Sequence, residues 1–263
     1  MTLTLTPRVE RPASSFQQWL AMSGRIIKQM TFGGEILGAV LVSFVCTVGF
    51  YLPMKYVMET VNKVDYGQYV VAIIVLQSLS ISMASAAQRA AVEGAFNFTD
   101  RLKTMPIRPT VILIARLTGS LYRSAVSIAV IMVLGYIIGF RLHAGPVQSV
   151  LFFVFSLSVG VILSLVADFM GTVSANATAM SQAITLPSLI LGMMSTGFVP
   201  EAGFPEWTHP FVRNQPVSQI SGVMREMSTT GATWHSATAA LIWLSALAAI
   251  ATPLAVWAIG RRR

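Results

Sequence analysis

Val147-Gln-Ser-Val-Leu-Phe-Phe-Val-Phe-Ser-Leu-Ser-Val-Gly-Val-Ile-Leu-Ser-Leu-Val-Ala-Asp168 runs for roughly 20 residues before it meets a charge, the length an α-helix needs to cross a bilayer's hydrocarbon. A soluble protein rarely builds such a stretch, so lipid is the solvent it has been selected for. Similar apolar runs lie on both sides of it. The spans read as Ile36 to Met58, Tyr69 to Arg89, Val111 to Phe140, Val147 to Phe169, Met180 to Val199 and Ala237 to Ile259. Composition agrees: 54% of the 263 residues are apolar and 11% are charged, where a soluble domain has roughly a quarter charged. The fold class is an all-α polytopic membrane protein of six transmembrane helices, with an N-terminal interfacial helix and outer re-entrant half-helices. Residues 1–34 form the tail and interfacial helix, and residues 35–263 the six-helix domain.

The formal charge of +8 is unevenly spread. With both termini cytoplasmic, the inner side carries Arg8, Arg11, Arg25, Lys28, Arg89, Arg101, Lys103, Arg108, Arg116 and Arg261 to Arg263. The outer side carries Lys55, Lys63, Arg141, Arg213 and Arg225, balanced by Glu59, Asp65, Glu201, Glu206 and Glu226. That asymmetry follows the positive-inside rule of multi-pass plasma-membrane proteins. It directs the excess charge toward membrane lipids and away from nucleic acid, for which no basic groove with interleaved aromatics is present. The single cysteine, Cys46, lies inside the first run and reads as packing.

Ahead of the first span, Ser14 or Ser15 caps a helix in which Phe16, Trp19, Leu20, Ile26, Ile27 and Met30 share one face. Gln17, Gln18, Arg25, Lys28 and Gln29 take the other. The pattern reads as a helix lying on the inner leaflet, its apolar run being interrupted too often to span, with a helix packed on protein as the alternative. Pro53 and Pro187 are expected to bend their helices. Gly135 and Gly139 form a GxxxG pair, and Ser156, Gly160 and Ser164 a stripe of small residues, both suited to close helix packing within the chain.

Three places carry unusual chemistry. The connection between the second and third spans, residues 90–110, holds Phe98, Arg101, Leu102, Lys103, Met105, Pro106 and Arg108. Its prolines stop a helix and force a turn, which suits a short amphipathic helix that docks a cytosolic partner. Ionisable groups at membrane depth come next: Arg116, Arg123 and Asp168. Each costs roughly 3 kcal/mol or more at the bilayer centre unless it is paired or faces water. Arg123 therefore lines a polar pathway or serves as partner to a carboxylate or to helix carbonyls. The third place is the proline-broken, aromatic cap at about residues 200–235, where Trp207, Phe211, Asn214 and Pro216 stand out. Short half-helices covered by protein satisfy such a segment, and its aromatics guide a lipid-like substrate or merely anchor at the interface.

No catalytic or metal residue is identified. His209 has no ligand spacing with His143 or His235. The sequence also lacks a GxxxxGK(S/T) phosphate loop, a GxSxG elbow, an HExxH pair and a CxxC pair. A non-transporting scaffold or an intramembrane enzyme stays conceivable, though nothing in the spacing favours it.

The plan of interfacial helix, six spans, Glu93-Gly94 followed by the Met105-Pro106 turn, and Asn214-Gln215-Pro216 before the last span resembles the ABC-2 exporter permeases. The string His209-Pro-Phe-Val-Arg-Asn-Gln-Pro-Val-Ser-Gln219, with Arg225, Ala167-Asp168 and Gly171-Thr-Val173, is similar to the daunorubicin-resistance (Drr) permeases, most nearly the B subunit of mycobacteria. The resemblance implies a partnership with a second, homologous permease and two copies of a separate ATPase subunit. ATP and Mg would be bound there, and no cofactor is expected in this chain. It places the coupling helix at about Phe98 through Pro109. It also implies a large hydrophobic cargo, either a complex envelope lipid such as a phthiocerol dimycocerosate or an anthracycline drug.

Overall fold

The computed structural model describes residues 14–62, 65–95, 109–174 and 176–261. Regular structure among them is entirely helical: α1 Ser15–Phe32, α2 Glu35–Asn62, α3 Tyr66–Ala95, α4 Pro109–Ile137, α5 Pro146–Val173, α6 Ala177–Met193, α7 His209–Asn214, α8 Pro216–Ser228 and α9 Trp234–Arg261, with two 3₁₀ turns before α7. Lipid offers the backbone no hydrogen bonds, and helices supply their own.

The α1 start is set by a capping box. The Ser14 hydroxyl accepts from the Gln17 backbone N–H, and the Gln17 side chain accepts from the Ser14 N–H. Trp19 then donates to the Thr118 hydroxyl (3.1 Å), and Ile26 and Met30 lie over Gly119 of α4. Phe16, Leu20 and Phe32 stay exposed on the other edge. The single apolar face is thus shared, one edge packing on protein and the other left free.

Five helices have the length and composition to cross a membrane: Glu35–Tyr56, Tyr66–Gly94, Thr110–Ile137, Pro146–Val173 and Trp234–Ala258. Helix α6, the expected fifth span, is apolar but has only 17 residues. At 1.5 Å per residue it reaches about 26 Å, short of a hydrocarbon core of about 30 Å. Its helix stops at Met193, where the Ser195 hydroxyl turns back to the Gly192 carbonyl. The stretch up to Val199, expected as the end of that span, is irregular.

Helix α3 is the axis of the bundle. It is 89% buried along its apolar window, whereas the other four long helices range from 22% to 44%. Helices α2, α4, α5, α6 and α8 all pack against it. The core gathers Tyr66, Val70, Ile73 and Ile74 of α3 with Ile131 of α4, Phe152 of α5 and Met224 of α8. The small-residue stripe of α5 is buried inside the chain: a Cβ on Gly160 would sit 2.7 Å from the Ser124 hydroxyl of α4 and 3.2 Å from Leu79 of α3. The GxxxG expectation on α4 is corrected. Gly135 packs near Val71, but Gly139 lies beyond the helix with φ +103°, where it ends α4 and turns the chain.

Candidate functional site

Two polar regions lie at opposite ends of α3. At the end leading to residue 95, four helices bring six charges together. Glu35 opens α2, Arg89 and Glu93 lie one turn apart on α3, Arg116 and Arg123 lie two turns apart on α4, and Asp168 is near the end of α5. Spacings of four and seven residues keep each pair on one helix face. Arg116 donates two bonds to Asp168, at 3.1 and 3.2 Å, and one to Glu93 at 2.5 Å. Two carboxylates thus share one guanidinium through charge-assisted hydrogen bonds, which offset part of the cost of burying the charges.

Arg123 is 2% exposed. It donates to the Ser85 hydroxyl at 2.7 Å and the Ser82 carbonyl at 2.5 Å. Glu35 Oε2 stands 3.8 Å from Arg123 Nη1 and 3.1 Å from Arg89 Nη1. Arg123 thus has carbonyl and carboxylate partners, and it borders a recess of about 210 Å³ between α2, α3 and α4. Arg116 and Asp168 are brought together. Glu35, Arg89 and Glu93 complete the cluster and were not singled out from sequence as site residues, although the four-residue spacing of Arg89 and Glu93 was a usable signal. Phe98, Arg101, Leu102, Lys103, Met105, Pro106 and Arg108 lie outside the described residues.

At the other end, polar side chains hold irregular backbone. After α6 the chain turns through Met194 to Gly197, and this turn is fastened from α8 and α3. Gln215 donates to the Met194 carbonyl (2.6 Å), Ser218 accepts from the Thr196 N–H (3.0 Å), and the Thr196 carbonyl receives both Tyr69 (2.5 Å) and Arg225 (2.9 Å). The Arg225 guanidinium stacks 3.6 Å above the centre of the Tyr69 ring. Burial draws the Arg225 pKa below that of a free guanidinium. Arg141 makes the same kind of contacts, stacking on Tyr136 at 3.6 Å while donating to the carbonyls of Tyr136 and Phe140.

The cap residues named from sequence divide. Trp207 is 82% exposed and Phe211 51% exposed, so both rings face away from the bundle's core. Asn214 donates to the Pro210 carbonyl and Pro216 starts α8, so these two shape helix ends. Between them sits Gln215, 5% exposed, the member of the Asn-Gln-Pro string that ties the cap to α6. Sequence reasoning missed it because its partner, Met194, is identified only by the fold. His209 bonds the Phe204 carbonyl at 2.9 Å and stands 3.9 Å from Glu201. Among the described residues no three His, Cys, Asp or Glu side chains converge as a metal would require.

The sequence is similar to those of known proteins. The sequence fits the family described as ABC-2 family transporter protein over residues 50–257. It is similar to the doxorubicin resistance ABC transporter permease protein DrrB of Mycobacterium tuberculosis, with 32% identity over 266 residues that cover 96% of this chain and 92% of that protein. It is also similar to the probable doxorubicin resistance ABC transporter permease protein DrrC of the same organism, 32% identical over 175 residues, 65% of this chain and 61% of that protein. A bundle of long apolar helices organised around α3, matched over nearly its whole length to such permeases, is a multi-pass membrane protein, and the chain belongs to the ABC-2 family of transporter permeases.

Proposed function

We propose that this chain is one of the two membrane subunits of an ATP-driven exporter that moves a large hydrophobic or amphipathic molecule outward. The observation that carries the reading is the similarity to the DrrB permease across 96% of the chain. Similarity to DrrC as well supports a second, homologous permease as partner. Two copies of a separate ATPase complete the machine and bind ATP and Mg. The cargo is an anthracycline of the doxorubicin type or a complex envelope lipid such as a phthiocerol dimycocerosate, both largely apolar. The charged end of the bundle faces the cytosol in this reading, with both termini there, in keeping with the positive-inside distribution.

In this mechanism the ATPases push the connection between α3 and α4. The network of Glu35, Arg89, Glu93, Arg116, Arg123 and Asp168 then passes the displacement to α2 and α5, because charge pairs between helices resist separation. The test is co-expression with the partner ATPase and a Leu102→Asp change in the connection. Efflux and cargo-stimulated ATP hydrolysis are expected to be lost while membrane insertion is kept. Normal efflux by that variant would make the connection passive, and micromolar ATP binding by this chain alone would overturn the division of labour.

A further inference from the structure

Helices α5 and α9 both start at the cap end, where Gln148 donates to the Ala232 carbonyl at 3.2 Å. Toward the far end they meet again, Leu165 packing with Ala251 and Ala255 beside Leu113 of α4. Between these two contacts the helices stand apart, and a recess of about 590 Å³ lies between them. Phe155, Leu244, Ala237 and Met227 form its buried floor, whereas Leu151, Val154 and Leu241 of its walls stay exposed, so the recess is open along one side. Ser158, Ser245 and Ala248 line it and are too small to close it.

Water has little hold in such a space. None of the residues lining it is ionisable, and the hydroxyls of Ser158 and Ser245 already donate to the carbonyls of Val154 and Ile242. An ordered water needs roughly two to four polar partners, so the occupant is apolar. Its shape follows from the length of the walls. From Leu151 to Ile162 on α5, and from Ala237 to Ala248 on α9, each wall rises about 16 Å, close to half of a hydrocarbon core of about 30 Å. A spanning helix of a partner protein would need a seat through the whole thickness, and the contact of Leu165 with Ala251 and Ala255 closes this one halfway. Polar groups gather at one end only: Gln148, Thr233 and Trp234 form the rim at the cap end, and Trp234 is 83% exposed, as aromatic residues at a membrane interface are. We propose that the recess between α5 and α9 binds one acyl chain of a phospholipid from the leaflet at the cap end, with the headgroup level with Trp234. The site belongs to this chain alone, whether or not it serves an exporter.

The experiment is native mass spectrometry of the full chain, released from detergent after separate titration with phosphatidylcholine, phosphatidylglycerol of the same chains, and glycerophosphocholine, which is the headgroup without chains. One phosphatidylcholine per chain is expected. Phosphatidylglycerol should be retained alike, because no charge in the recess selects the headgroup, and glycerophosphocholine not at all. Ser245→Phe fills the recess and should weaken retention about tenfold, the loss that roughly two excluded methylenes cause. Ser158→Phe should do the same from the opposite wall. Ile250→Phe, on the exposed side of α9 outside the recess, should change nothing, which separates filling from a general effect of a ring on that helix. Ser245→Ala should hold the lipid undiminished, since the recess is dry. Unchanged retention in both Ser245→Phe and Ser158→Phe would overturn the proposal, as would an equal loss in Ile250→Phe, weaker retention in Ser245→Ala or a strong preference for phosphatidylglycerol. A dimer of this chain that disappears in Ser245→Phe would overturn it too, by making the recess a seat for a second copy.

Discussion

The two ends of α3 solve different problems with the same residue types. At the end near residue 95, arginines answer carboxylates across helices, so that charge is neutralised between separate elements. At the cap end, Arg141, Arg225 and Gln215 donate to backbone carbonyls, so that the irregular chain around the cap is held in one path. The first arrangement makes helix positions interdependent. The second replaces the hydrogen bonds that a broken helix has given up. An arginine count alone would not separate them.

The contrast is broken or sharpened most directly at Arg116. Arg116→Ala should destabilise the chain by about 3–5 kcal/mol, because Asp168 and Glu93 are left as unpaired carboxylates, one of them buried. Chemical unfolding in detergent measures it, and the double variant Arg116→Met with Asp168→Leu should recover a large share. A loss no greater than that of a cap variant would erase the difference between the two ends.

Arg225→Ala comes next. It removes the bond to Thr196 and the stack on Tyr69, an expected cost of about 1–3 kcal/mol. Arg225→Lys should restore less than half, since an ammonium cannot both stack as a plane and reach the carbonyl. Full rescue by lysine would mean that charge alone matters at the cap.

Gln215→Leu should cost about 1–2 kcal/mol by leaving the Met194 carbonyl unsatisfied. Its distinguishing readout is hydrogen exchange: faster exchange around Ser195 to Phe198, with the Arg116 cluster unaffected. If both ends loosen together, the two regions form one cooperative unit.

The smallest effect on stability belongs to Trp207→Ala combined with Phe211→Ala, about 0.5 kcal/mol or less, because both rings are exposed. Efflux in the reconstituted exporter should nonetheless fall while assembly and basal ATP hydrolysis are kept. Unimpaired efflux would remove these aromatics from transport, and lost yield would make them anchors.

Much of the fold was legible because a span is a matter of length. Four of the six expected spans, the first, third, fourth and sixth, coincide with their helices to within a few residues, and the helix of the second runs further at its end. Helix α6 is where length reasoning slipped, since Met194 to Val199 is apolar in sequence yet turns at Ser195. Gly139 slipped for a related reason: a four-residue glycine spacing signals packing only if both residues are helical, and its positive φ ends the helix instead.

The amino-acid sequence by itself determined that this chain is a bundle of membrane helices with a capped amphipathic helix in front, because hydrocarbon admits only apolar, internally bonded segments of a set length. It also marked Arg116, Arg123 and Asp168 as exceptional. Which helix forms the axis was decided only by the tertiary structure, since lipid and protein interior ask for the same apolar side chains and α3 reads like its neighbours. The same holds for the charge pairs. Arg116 finds Glu93 and Asp168 from 23 and 52 residues away. Those meetings depend on how each helix is rotated about its own axis, which packing sets once the helices are together.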